Sequence, residues 1–125
     1  MYYPLTVRDF LDRAETVYPD RVAVVDEPDQ PAPSLGSLTY RELATLARAQ
    51  AARLDQLGVP TGGRVAVISQ NSARLLTSFF GVSGWGRILV PVNFRLSLAE
   101  IDYIVGHCGA DVVYADPEVP TCSTR

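Results

Sequence analysis

The sequence contains no lysine. Its 11 basic side chains are all arginine, from Arg8 to Arg125, set against 14 acidic residues. Without lysine there is no Schiff-base amine and no ammonium to serve a Walker-type phosphate loop. Histidine is nearly absent as well: His107 stands alone, which excludes a His-rich metal cage. A net charge of -3 argues against a nucleic-acid binder, which would show a basic face. The two cysteines, Cys108 and Cys122, are too few and too isolated for a disulfide framework. Cys108 beside Ile104 and Val105 reads as a buried thiol, and Cys122 in a polar tail as an exposed one. Long apolar runs are missing too; stretches such as Ile88 to Val92 fall far short of the ~20 residues of a membrane span. Residues 1–25 carry charge throughout (Arg8, Asp9, Asp12, Arg13, Glu15), so no signal-peptide core is expected and the expected compartment is the cytoplasm.

What remains is the composition of one soluble globular domain, with 47% hydrophobic and 20% charged residues over 125 positions. A chain of that size buries about two-thirds of its unfolded surface. Three segments share a helix-start signal: Leu5-Thr6-Val7-Arg8-Asp9-Phe10, Leu38-Thr39-Tyr40-Arg41-Glu42-Leu43 and Leu96-Ser97-Leu98-Ala99-Glu100-Ile101. In each, a hydroxyl at the N-cap and a carboxylate three residues on satisfy one another's backbone amides. The flanking pairs Leu5/Phe10, Leu38/Leu43 and Leu96/Ile101 fit a hydrophobic staple. Apolar spacing then predicts helices over about 7–18, with Phe10, Leu11, Ala14, Val17 and Tyr18 inward, and over about 40–57, ended by Gly58. A third begins near Asn71 or Ser72 and carries Leu75, Leu76, Phe79, Phe80 and Val82 around most of its circumference, so burial on more than one side is expected. The last runs over about 98–108 and stops at Gly109.

Between the helices lie β-branched runs at 21–25, 64–68, 88–92 and 112–114. They are almost continuously apolar, as strands covered on both faces are. From residue 64 onward the order strand–helix–strand–helix–strand predicts a right-handed parallel α/β arrangement. Pro91 removes one ladder donor, so its strand is expected at an edge or interrupted there. Residues 27–37 read as a Pro-rich surface loop.

Few residues here invite a chemical role, and none survives comparison with a plainer one. Gly81-Val-Ser-Gly-Trp-Gly86 follows a helix and precedes a strand, the reverse of a dinucleotide fingerprint, and Ser83 lacks the spacing of a nucleophile elbow. It reads as a turn, with Trp85 packing on an apolar edge. His107 has Asp102, Cys108 and Asp111 near it in sequence, but neighbours on a helix point about 100° apart, so His107 and Cys108 form no dyad. Asp26, Glu27 and Asp29 lack an oxygen-ligand pattern and read as a solvated acidic loop. Ser69-Gln70-Asn71-Ser72 carries the one real site argument, because ligands gather where parallel strands end and helix N-termini present free amides. Capping by Asn71 or Ser72 is its default role.

Leu38-Thr-Tyr-Arg-Glu-Leu43, Gly63-Arg-Val-Ala-Val-Ile68 with Asn71-Ser72, Val90-Pro-Val-Asn-Phe-Arg-Leu96 and Gly109-Ala-Asp-Val-Val-Tyr-Ala-Asp-Pro117 together resemble the start of adenylate-forming (AMP-binding) enzymes, in their fatty-acyl-CoA synthetase branch. The match runs over roughly 3–118. The resemblance implies the truncated parallel-sheet N-terminal subdomain of that α/β fold, with 1–118 a partial AMP-dependent synthetase/ligase domain and 119–125 an irregular tail. It implies a family chemistry in which a carboxylic acid is adenylated by ATP and then passed to coenzyme A. That chemistry rests on a Ser/Thr/Gly-rich loop ending in lysine, later ATP-binding motifs and a lysine of a C-terminal domain, none of which has a counterpart in these residues. No catalytic, cofactor-binding or metal residue is therefore assigned; Asn93 and Arg95 match the family pattern but read as capping the next helix or bracing the loop. The expectation is a fragment inactive on its own, binding no cofactor, with ATP, Mg and coenzyme A belonging to the complete enzyme. Two alternatives stand beside it. One is an interaction module pairing with itself or with a full-length synthetase through uncovered apolar faces; the other is a small nucleotide-binding domain using the Asn71 helix terminus.

Overall fold

The structure is a computed structural model and describes residues 2–120. Its elements are α1 (Val7–Val17), β1 (Val22–Val25), β2 (Ser37–Thr39), α2 (Tyr40–Gln56), β3 (Arg64–Ile68), α3 (Ala73–Ser83), β4 (Ile88–Val92), α4 (Leu98–Cys108) and β5 (Val112–Ala115). β3, β4 and β5 form a parallel sheet in the order β4-β3-β5, so the strand holding Pro91 does lie at an edge.

β3 shows why its sequence is apolar without alternation. Val65 and Val67 enter a cluster with Leu54 of α2 and Val82 of α3, while Ala66 and Ile68 enter another with Val92 and Ile101 of α4. Helices thus cover both faces, and both sets of side chains leave water. The first β-branched run departs from this pattern. β1 pairs antiparallel with β2 in a separate two-stranded sheet, and Val22 and Val25 are exposed. The short return through the Pro-rich segment allows a hairpin-like pairing, whereas a parallel partner would need a crossover.

All three helix starts form. The backbone amides of Thr6, Thr39 and Ser97 donate to Asp9, Glu42 and Glu100 at 2.6, 2.7 and 2.8 Å. At Thr39 and Ser97 the hydroxyl accepts in return from the N3 amide, at 3.2 and 3.4 Å. At Thr6 the hydroxyl instead donates to Asp9, 2.8 Å away. Hydrogen bonds from Ser97 hold Glu100 below the ordinary carboxylate range. Gly109 ends α4 in the left-handed conformation at φ 63°.

Leu5 and Phe10, expected to form a staple, are 69% and 61% exposed, and α1 buries only Leu11, against Leu43, Ala44 and Ala47. Val17 and Tyr18 are likewise exposed. The face α3 buries also differs from expectation. It packs through Ala73, Thr77, Ser78, Gly81 and Val82, leaving Leu76 and Phe79 facing outward. Small residues win because α2 lies very close: a Cβ on Gly81 would be 3.0 Å from the Ala47 carbonyl oxygen. Trp85 packs beneath Arg8, whose guanidinium carbon lies 4.5 Å from its ring centroid.

Candidate functional site

The carboxyl ends of β3 and β4 open into a cleft of about 710 Å³. Ser69, Gln70 and Asn71 form one wall, Asn93, Phe94 and Arg95 another, and Glu27 and Asp29 reach over from the Pro-rich segment. The fold therefore brings together three stretches that the sequence singled out separately. Short turns leaving adjacent parallel strands put their side chains at one end of the sheet.

Several polar groups around this cleft are already engaged. Asp116, just beyond β5, accepts from the Ser69 hydroxyl at 3.0 Å and from the Gln70 amide at 2.8 Å, which holds the chain as it leaves β3. Asn93 Oδ1 accepts from the Arg95 amide at 3.0 Å and so braces the turn after β4. The Arg95 guanidinium lies over the Phe94 ring, 5.4 Å from its centroid. Ser72, not Asn71, caps α3, accepting from the Leu75 amide at 3.3 Å.

Asp26 overturns its reading as part of a solvated loop. It is 4% exposed, and its Oδ1 accepts from the Ala73 amide, the first residue of α3, at 2.7 Å. The anion at this helix N-terminus is thus supplied from within the chain. Burial works against the charge of Asp26, but the amides of Leu35 and Ala73 and the Gln30 side chain outweigh it and hold its carboxyl below the ordinary range. Glu27 and Asp29 remain at the surface, with Glu27 Oε1 accepting from the Asp29 amide at 3.0 Å.

A second hollow, about 430 Å³, adjoins this cleft and lies between α2, α3 and β5. Val67, Leu75 and Tyr114 contribute apolar walls, and Gln50 and Ser78 are joined across it by a 3.0 Å hydrogen bond. No sequence motif marks this hollow. It arises from the way α2 and α3 converge on the sheet, and its residues are ordinary helix and strand positions taken singly.

The other candidates separate. His107 is exposed and stacks on Tyr103, with ring centroids 5.5 Å apart, and the Asp111 carboxylate is turned to the Arg64 amide at 2.9 Å. Cys108 is only partly buried, its Sγ 3.4 Å from the Val105 carbonyl oxygen; Cys122 lies outside the described residues. Among the described residues no three His, Cys, Asp or Glu side chains are grouped to hold a metal, and no helix is long and apolar enough to cross a membrane.

A model of the AMP-binding enzyme family matches residues 11–124. The chain is 36% identical over 115 residues to 4-hydroxybutyrate--CoA ligase 2 of Metallosphaera sedula, covering 92% of itself and 20% of that protein. It is equally 36% identical over 115 residues to a long-chain-fatty-acid--CoA ligase of Thermus thermophilus, covering 92% of itself and 21% of that protein. Among solved structures, the anthranilate CoA ligase AuaEII in complex with anthranoyl-AMP superimposes with a TM-score of 0.80 at 28% identity, over 92% of this chain and 21% of that one. The chain thus spans about a fifth of the length of these relatives and corresponds to their N-terminal part.

Proposed function

The chain belongs to the AMP-binding enzyme family, and from that membership we propose that it is the N-terminal segment of an ATP-dependent ligase joining a fatty-acyl carboxylate to coenzyme A, without ligase activity as these 125 residues alone. The observation that carries this reading is the proportion of the match: nearly the whole chain aligns with CoA ligases, yet it accounts for only 20–21% of each. ATP, magnesium and coenzyme A are needed for the complete reaction, in which the carboxylate attacks the α-phosphorus, pyrophosphate leaves, and the thiol then displaces AMP. That sequence needs positive charge gathered on the phosphates. The cleft at the sheet end offers one arginine, Arg95, beside the carboxylates of Glu27 and Asp29, and Asp26 already neutralises the α3 terminus. We assign no catalytic or cofactor-binding residue. Exchange of labelled pyrophosphate into ATP, with short- and long-chain fatty acids and the purified chain, tests the reading. Background exchange is expected, with no thermal stabilisation by millimolar ATP, AMP or coenzyme A. Robust acid-dependent exchange overturns it.

A second reading, an interaction module, is favoured by the large apolar side chains at the surface: Phe10 is 61% exposed, Val25 76% and Tyr103 69%. Strands β4 and β5 also end the described sheet with open edges. Sedimentation velocity over a concentration series separates the two. Association that grows with concentration supports the module, and a compact monomer throughout removes it.

A further inference from the structure

Residues 27–36 form a strap between β1 and β2 that walls three hollows at once. Glu27 and Asp29 face the 710 Å³ cleft and Leu35 the 430 Å³ hollow, while Glu27 and Pro28 close a third, of about 380 Å³, against the start of α3. Ser69 and Leu75 line both of the first two, which therefore adjoin behind the strap.

The strap is gathered on one buried carboxylate. Asp26 Oδ2 accepts from the Leu35 amide at 2.8 Å, Gln30 Nε2 at 2.9 Å and the Ser34 hydroxyl at 3.5 Å, closing the strap on itself. Asp26 Oδ1 accepts from the Glu27 amide at 3.1 Å and the Ala73 amide at 2.7 Å, fastening the closed strap to α3. One further hydrogen bond crosses to α3, from Arg74 Nη1 to the Pro33 carbonyl oxygen at 2.7 Å. At its base the strap is pinned where the Asp26 amide donates to the Gly36 carbonyl oxygen at 2.9 Å and Val25 pairs with Ser37. Gly36 there has φ 67° and open space around its Cα, a backbone freedom other residues lack.

We propose that residues 27–36 are a movable wall latched by Asp26, able to leave α3 as a unit while the parallel sheet stays folded. The separation follows from the packing. The strap stems from the two-stranded sheet, whereas the main clusters are built on β3 with α2, α3 and α4, so opening breaks few contacts of that core. The latch depends on charge rather than shape. Donors surround both oxygens, so asparagine, though isosteric, sets an NH₂ group against N–H or O–H donors whichever way it turns.

Amide hydrogen exchange on the whole chain tests this inference, which is independent of the ligase reading. In Asp26→Asn the amides of 27–36 and of Ala73 are expected to exchange about tenfold faster or more, while those of Val65 to Ile68 keep their rates. Arg74→Ala, which leaves Asp26 in place, is expected to give a smaller acceleration confined to the strap. Unchanged strap exchange in Asp26→Asn overturns the proposal. So does an acceleration shared equally with β3, which would make Asp26 a general determinant of stability. Should Asp26→Asn fail to fold, the wild-type chain still decides: Leu35 and Ala73 are expected to exchange through an opening nearly independent of denaturant. An opening of theirs that shares the denaturant dependence of β3 overturns the latch.

Discussion

Arg48 holds Glu15 with both terminal nitrogens, at 2.7 and 2.8 Å, joining α2 to α1 across 33 positions of sequence. The pair matters because α1 is otherwise lightly fastened, burying Leu11 and exposing Phe10 and Val17. A two-pronged guanidinium–carboxylate contact fixes orientation as well as distance.

Glu15→Gln is expected to lower stability by about 0.5–1 kcal/mol at neutral pH, the scale of a well-formed pair near the surface. The Arg48 hydrogen bonds, opposed by partial desolvation, hold the Glu15 carboxyl below its ordinary value of 4.5. Its contribution is therefore complete above that pH and declines as acid takes the carboxylate through its lowered folded-state value. Urea unfolding of the two chains should give separate midpoints at neutral pH that converge as acid protonates the Glu15 carboxylate below its ordinary range. Equal midpoints throughout would show that the pair contributes nothing.

Gly81→Ala is expected to destabilise the chain by about 1–3 kcal/mol, even though alanine is the better helix former by about 1 kcal/mol. The new methyl meets Gln50 Oε1 and lies 3.0 Å from the Ala47 carbonyl oxygen. The glutamine can shift, but the backbone of α2 cannot do so without disturbing its own ladder. Chemical denaturation measures the sign, and a stabilised variant would mean that the helices separate easily.

Arg87 is 8% exposed and donates twice to the Val59 carbonyl oxygen, at 3.1 and 2.8 Å, while also pairing with Asp55. Arg87→Leu removes both donors from a carbonyl that has little access to water. A loss of about 1–3 kcal/mol is expected, whereas Asp55→Asn, at the exposed side of the pair, should cost under about 1 kcal/mol. Equal losses in parallel unfolding curves would shift the weight from the carbonyl to the ion pair.

Thr39→Ala is expected to cost about 1 kcal/mol, because Thr39 accepts from the Glu42 amide at the start of the longest helix. Thr39→Ser, which keeps the hydroxyl, should restore most of it. Circular dichroism followed through thermal unfolding distinguishes the two variants; identical behaviour would assign the loss to the threonine methyl.

Much of the architecture was legible beforehand because its signals are local. Capping boxes at Thr6, Thr39 and Ser97 act within one turn, Gly109 suits a left-handed stop, and the apolar run Val65 to Ile68 is buried between two layers, though the similar run at 21–25 is not. Family membership was legible for a related reason: the resemblance rests on the order and spacing of short segments such as Val90 to Leu96. By contrast, the role of Asp26 depends on Leu35 and on Ala73, which is 47 positions away, and no spacing rule joins an acidic loop to a distant helix end.

Sequence alone therefore determined the four helices and every strand but β2, which family they belong to, and that no lysine is available for chemistry among these 125 residues. Tertiary structure alone decided that β1 turns back to pair with β2, that α3 buries its small residues rather than its phenylalanines, and that Asp26 is a buried anchor. The reason is common to all three. Propensity and capping are settled by neighbours along the chain, whereas burial and the pairing of charge depend on which surfaces meet, and here the close approach of α2 to α3 and the strap's return to α3 set those meetings.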